Sequence, residues 1–347
     1  MENNQMINRK GINYDVGTFT RGKESSSRDK FDPAIVKREM EIIKNDLHCN
    51  AVRISGQEIS RLVMASEFAI QQGLEVWFSP AYIDADEQET LSYFGECAKA
   101  AEKLRTQSPV VVFVAGCELT FFMKGLVDGD TAFDRINTFM KRWRLLKSTI
   151  RKGYFNKRLN AFLSKAVTVI REHFHGQLTY ASGPWENVKW DLFDFVSIDY
   201  YRDASNKNSY REKLRAYYKH GKPVVITEFG CCTYKGAEDK GGYGWAIVDW
   251  SKTPKQLKGN FIRDESVQAN YLIELLDIFN EEKVNGAFVF TFVMPSYPFN
   301  ENALYDLDMA SYSVVKTYTD RNGTTYNDMP WEPKKSFAAL AEYYAKH

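Results

Sequence analysis

Pro223-Val-Val-Ile-Thr-Glu-Phe-Gly230 is the stretch from which the fold can be read. Pro223 to Thr227 is short, apolar and β-branched, with no polar alternation, which describes a strand buried on both faces. Glu228 follows at once, and Gly230 breaks the strand. A carboxylate at the C-terminal end of a buried parallel strand is costly unless it has partners or a task. Such strand ends form the active face of a (β/α)8 barrel. A second stretch has the same form: Val110 to Ala115 is apolar, and Gly116-Cys117-Glu118 closes it.

Working outward, the same alternation recurs along the chain. Gly11 to Gly17 reads as a first strand with Asn13, Tyr14 and Asp15 at its end. Arg21 to Asp32 is polar and Ser-rich, a loop leading to a helix start at Asp32-Pro33. Ile35, Met40, Ile43 and Leu47 make one helical face. His48 to Ile54 is strand two, Ser60 to Gln72 a helix closed by Gly73, and Leu74 to Phe78 strand three. Gln88 to Arg105 is helical and leads into strand four. Thr131 to Ile150 and Asn156 to Phe174 both read as helices. A barrel unit needs one, so the other is an insertion after strand four. Gln177 to Ala181 and Phe193 to Asp199 are strands five and six; Gly286 to Phe292 is strand eight. Helices are expected at Tyr210 to His220, Ser266 to Glu282 and Pro333 to Tyr344.

Eight β-then-α repeats imply a parallel sheet, and over this length a closed (β/α)8 TIM barrel with an inserted helix after strand four. With 347 residues and no interior linker, residues 1–347 read as a single barrel domain. No G-x-G-x-x-G follows the first strand and no P-loop pattern occurs, so neither a dinucleotide nor any other cofactor is expected. The net charge of +1 gives no global field favouring nucleic acid or an anionic membrane. The start of the chain lacks a signal-peptide core, and no apolar run is long enough to span a bilayer. The five Cys are odd in number and form no C-x-x-C framework, so the expected compartment is the reducing cytoplasm. Cys231-Cys232 reads as two small buried thiols. His173-x-His175 lacks a second cluster, and no metal is expected.

Two carboxylates at strand ends suit glycoside hydrolysis, in which one must donate a proton and the other must be ionised. A structural ion-pair role for each is the alternative. The placement resembles the clan A glycoside hydrolases, retaining enzymes on (β/α)8 barrels. That resemblance implies that Glu118 is the acid/base and Glu228 the nucleophile, with their carboxyls about 5–5.5 Å apart. It further implies that Tyr201 hydrogen-bonds the nucleophile and that Arg53 keeps it ionised. The chain departs from the clan at Cys117, where the clan usually has Asn, and after strand eight, where Phe292 is the nearest aromatic in place of Trp. Asp199 shares a strand face with Tyr201 by parity. Tyr82, Trp185 and Trp245, with Tyr14, sit in loops that follow strands and could stack on a sugar, or equally cover the core.

Over almost its whole length the chain also resembles a bacterial family often labelled "abortive infection protein", through DLHCNAV, RLNAFL, PVVITEFGCCTYKGA, GAFVFTF and DLDMASY. Two readings follow. In one the protein is a retaining O-glycoside hydrolase with a carbohydrate substrate. In the other it is an inactive barrel that binds a glycan or a protein partner in phage response. The basic run Lys141-Arg-Trp-Arg144 with Lys147, Arg151 and Lys152 reads as a solvated face, or else as a site for an anionic glycan or a partner.

Overall fold

The short apolar runs become parallel strands because each can bury both faces only in a sheet covered by helices. The computed structural model of the protein describes residues 7–19, 26–108 and 110–347. In it eight parallel strands close into a barrel. They are β1 (Arg9–Asp15), β2 (Ala51–Gly56), β3 (Glu75–Pro80), β4 (Val111–Cys117), β5 (Gln177–Ser182), β6 (Val196–Asp199), β7 (Val224–Phe229) and β8 (Gly286–Val289). The (β/α)8 barrel read from the sequence is therefore the observed fold. Residues 21–25 of the expected Ser-rich loop lie outside the described residues.

Two compact units carry these elements. One comprises Met1–Tyr14, Ala34–Val52 and Tyr200–His347; the other comprises Asp15–Pro33 and Arg53–Asp199. In the first, α1 (Pro33–Asn45) buries Val36, Met40, Ile42 and Ile43, close to the face expected from its periodicity. Later in that unit come α8 (Tyr210–Arg215), α9 (Glu265–Glu281) and α10 (Lys335–Lys346). The long segment after β7 is not plain loop. It holds single turns at Ala237–Asp239 and Gly241–Ile247, and a two-stranded ribbon of Val248–Asp249 with Gln256–Leu257. Strand eight is shorter than expected, ending at Val289 rather than Phe292.

The second unit contains α2 (Ile59–Gln71), α3 (Glu87–Gln107) and, between β4 and β5, four helices: α4 (Leu119–Phe122), α5 (Ala132–Met140), α6 (Arg142–Lys152) and α7 (Phe155–Arg171). The single helix expected over Thr131 to Ile150 is two. A capping box between Thr131 and Asp134 starts α5, and Lys141 at φ −111°, ψ 99° leaves the helical region before α6. Among the described residues no helix is long and apolar enough to cross a membrane.

Candidate active site

The end of β4 is irregular. Val114 pairs with Thr179 and Cys117 with Ala181, so β4 spends one residue more than β5 over the same step. That is a β-bulge, a device that re-aims side chains at a strand end. Gly116 takes φ +93°, open to glycine, while Glu118 sits at φ 41°, ψ 48° in the left-handed region. For a residue with a Cβ this conformation costs about 1–2 kcal/mol. The surroundings hold it. Glu118 donates its N–H to the Ala181 carbonyl at 2.9 Å, and its own carbonyl accepts from Phe121 at 2.8 Å. The next two N–H groups are caught by side chains: Leu119 donates to the Tyr180 hydroxyl at 2.8 Å, and Thr120 to Glu186 Oε1 at 3.1 Å.

Glu186 is the hub of this clamp. It is buried and accepts from the Thr120 hydroxyl at 2.7 Å, the Tyr180 hydroxyl at 2.8 Å and the Gly183 N–H at 3.2 Å. Burial raises its carboxyl above the ordinary value, against the pull of those donors. Tyr180 is likewise raised well above its ordinary value, by burial first and then by the charge of Glu186. Neither residue stood out in the sequence; a Tyr inside strand five and a Glu after Gly183-Pro-Trp carry no motif.

The other expected residues of this unit are bonded nearby. Arg53 is buried and donates through Nε to the Ser79 hydroxyl at 3.2 Å; its Nη1 lies 3.8 Å from Asp199 Oδ1. Cys117 donates its thiol to Asp199 Oδ2 at 3.2 Å. The residue standing where the clan has Asn thus spends its proton on a neighbouring carboxylate. Cys117 and Asp199 are able to offer ligand atoms to a metal, and a thiolate donor would favour zinc over magnesium. Asp15 closes β1 and accepts from the Gly17 N–H at 2.7 Å; burial raises its carboxyl. Tyr82 packs on Tyr93 at 5.1 Å. Trp185 stacks on Phe121 at 4.3 Å and donates Nε1 to the Thr120 hydroxyl at 2.9 Å, so it braces α4. A cleft of about 620 Å³ at the start of α3 is lined by Asp86, Glu87, Met123 and Arg158, none of them among these residues.

In the first unit, β7 carries a bulge too: Ile226 pairs with Ala287 and Phe229 with Val289, so β7 spends one residue more than β8 across Thr227 and Glu228, and Glu228 lies one residue before the strand's end. The Tyr201 hydroxyl donates to Glu228 Oε2 at 3.2 Å, the contact expected of it. Tyr201 packs edge-on against Tyr312 at 5.9 Å, and Tyr312 packs against Phe290 at 5.9 Å. The Tyr312 hydroxyl accepts from the Gly244 N–H at 2.8 Å and donates to the Gly241 carbonyl at 2.6 Å, which fixes the turn carrying Trp245. Trp245 is half-buried there. A Cβ on Gly230 would lie 2.4 Å from the Phe290 carbonyl, so only glycine lets the chain after β7 approach the end of β8 this closely.

A chain of this architecture has well-populated structural company. A GH113 beta-1,4-mannanase superposes with a TM-score of 0.62 at 15% identity, covering 99% of this chain and 100% of that one. The GH113 beta-mannanase AaManA from Alicyclobacillus acidocaldarius gives 0.60 at 12% identity, with 99% of each chain covered. PbGH5A, a glycoside hydrolase family 5 enzyme from Prevotella bryantii B14, gives 0.53 at 11% identity over 99% of this chain and 98% of that one. The fold is the (β/α)8 barrel that these glycoside hydrolases share. No protein-family model matches the chain, and no curated protein matches it, so the abortive-infection label gains no support.

Set beside that fold, three sequence expectations need correction. Tyr14 is fully buried on the outward face of β1, where its hydroxyl donates to Glu39 of α1, which also accepts from Trp331 Nε1 at 2.9 Å. Phe292 is also fully buried, edge-on to Trp331 at 5.5 Å. Full burial and their contacts with Glu39 and Trp331 keep both rings out of reach of a sugar. The half-buried aromatic after β8 is Phe290, two residues earlier. Asn13 is buried too; its amide donates to the carbonyls of Thr227 at 2.9 Å and of Phe288 and Val289 at 3.3 Å. It ties β1 to the ends of β7 and β8, and its donors are already spent.

Proposed function

We propose that the protein is a single barrel domain, residues 1–347, that hydrolyses O-glycosidic bonds with retention of configuration. The observation that carries this reading is the Tyr201 hydroxyl on Glu228 at the end of β7, with a second carboxylate, Glu118, at the end of β4. Glu228 attacks the anomeric carbon as the bond to the leaving oxygen breaks, and Glu118 gives that oxygen its proton. Glu118 then takes a proton from water, which displaces Glu228 and releases the sugar. The reaction requires no cofactor. Because two of the structural neighbours are named as β-1,4-mannanases, β-1,4-linked manno-oligosaccharides are the first substrates to try. The five free thiols suit a reducing compartment, and the cytoplasm is the proposed location.

The test separates the two carboxylates by role. Glu228→Ala should abolish turnover of every glycoside, because each needs the nucleophile. Glu118→Ala should lose about 10²–10⁴-fold on substrates with poor leaving groups. It should retain the first step on an aryl glycoside whose phenol is very acidic. Azide should speed Glu118→Ala and give a glycosyl azide of retained configuration. Rescue of Glu228→Ala to a product of retained configuration, with Glu118→Ala rescued only to an inverted one, would exchange the roles. No hydrolysis by the wild type, with glycan binding retained on an array, would establish the binding-only barrel. Cys117, bonded to Asp199 where the clan has Asn, is the observation that favours that second reading.

A further inference from the structure

An amphipathic helix normally turns its apolar stripe toward the protein; α6 does the opposite. Its buried residue is Ser148, whose hydroxyl accepts from the Asp128 N–H at 3.0 Å. Trp143, Leu146 and Ile150 lie on the other side and are 63%, 62% and 79% exposed. At 100° per residue these three fall within one narrow arc, roughly opposite Ser148. Met140 just before the helix and Tyr154 just after it are exposed as well. Of the nine exposed large apolar side chains among the described residues, five fall in residues 140–154. Isolated exposed apolar residues need no explanation, but a contiguous stripe does.

The charge around the stripe says what covers it. Residues 140–154 contain Lys141, Arg142, Arg144, Lys147, Arg151 and Lys152, and no Asp or Glu. Arg151 and Lys152 pair with Asp128 on the protein side, at 2.5 and 3.2 Å. Arg144 lies over the Trp143 ring at 5.3 Å. Two copies of this face would set like charges against each other. A soluble polyanion would match the charge but leave Trp143, Leu146 and Ile150 in water. An anionic bilayer answers both needs: acyl chains take the stripe, headgroups take the flanking cations, and Trp sits at the boundary. The chain's net charge of +1 conceals this local excess.

We propose that α6, with its flanking residues 140–154, is an interfacial helix that docks the protein on a membrane surface rich in anionic lipid. The full chain is incubated with vesicles of phosphatidylcholine alone, and of phosphatidylcholine with about one-third phosphatidylserine, then sedimented. Binding is expected to the anionic vesicles only. It should weaken as salt shortens the screening length from about 10 Å at 0.1 M to about 3 Å at 1 M. Arg142→Glu/Lys147→Glu should lower partitioning more than twentyfold, since each cation near such a surface is worth roughly fivefold. Leu146→Glu/Ile150→Glu should lower it at least as far. Both variants should keep the wild-type melting temperature and, on any active substrate, the wild-type rate. Equal binding to neutral vesicles, or binding unaffected by either variant, would overturn the proposal. So would a wild-type dimer that Leu146→Glu/Ile150→Glu dissociates. Capture by soluble heparin without capture by anionic vesicles would assign the face to a polyanion instead.

Discussion

The ends of β4 and β7 both deliver a glutamate at a bulge, but the backbone leaves the two bulges differently. At β4 the backbone leaves the strand through a bulge, Gly116 turns at positive φ, and Glu118 is held in the left-handed region. Its conformation is maintained by side chains distant in sequence, with Tyr180 and Glu186 bonded to the two N–H groups that follow it. At β7 the bulge stays within the strand, and Glu228 is not among the residues at positive φ. There the fixing bonds go to the main chain itself: Asn13 holds the Thr227 carbonyl, and Tyr200 donates to the Glu228 carbonyl at 2.7 Å. The lesson is that a carboxylate in the left-handed region needs dedicated buried side chains to hold it, whereas one kept within its strand, even at a bulge, is held through its main chain. Removing a support should therefore damage the two ends differently.

The largest effect is expected from Glu186→Ala. It leaves four donors without their acceptor: the Tyr180 and Thr120 hydroxyls and the Thr120 and Gly183 N–H groups. The loss should be roughly 3 kcal/mol, read from denaturant unfolding. If the clamp positions Glu118, turnover of poor leaving groups should fall further than turnover of an activated aryl glycoside. Equal falls on both would reduce Glu186 to a purely structural residue. At the other end, Asn13→Leu removes the buried donor to three carbonyls and should cost about 1–3 kcal/mol. Its effect should show no dependence on leaving group, because it acts on the sheet that carries the nucleophile.

A smaller pair of changes puts the contrast in the sign. Glu118→Gly relieves the left-handed backbone and should stabilise the fold by about 1 kcal/mol. Glu228→Gly places glycine inside a strand where φ is not positive and should destabilise it by roughly 0.5–1 kcal/mol. Melting temperatures moving in the same direction would break the comparison, whatever happens to activity. The smallest expected change is Tyr201→Phe. It deletes one 3.2 Å bond to Glu228 and should lower kcat/KM about tenfold, with the melting temperature nearly unchanged.

How much of this was legible follows from where the information lies. The strand ends could be read because an apolar β-branched run followed by Glu is a local pattern, and Glu118 and Glu228 stand where that pattern put them. The partner of Glu228 was expected from the resemblance to the clan, which implies a Tyr just after strand six, and Tyr201 makes that bond. Tyr14 was misplaced because β1 runs on through Asp15, so Tyr14 is a strand residue and not a loop one, and Phe292 because β8 ends three residues before it. Beyond that point period-two counting no longer tells which face a side chain takes. Cys117 could be seen as a departure from the clan, but its bond to Asp199 joins residues far apart in sequence.

The sequence by itself determined the alternation of strands and helices, hence the closed parallel barrel, and the two carboxylates that end β4 and β7. These depend on hydrophobic period and strand breaks, properties of a few neighbouring residues. Only the tertiary structure decided that Glu118 is held in a left-handed turn by Tyr180 and Glu186, that Asn13 is a buried tie, and that the apolar stripe of α6 faces outward. Each of these is a relation between residues brought together by folding. A helical stripe in sequence has the same period whether it points into the protein or away from it, and only the packing of the rest of the chain chooses the direction.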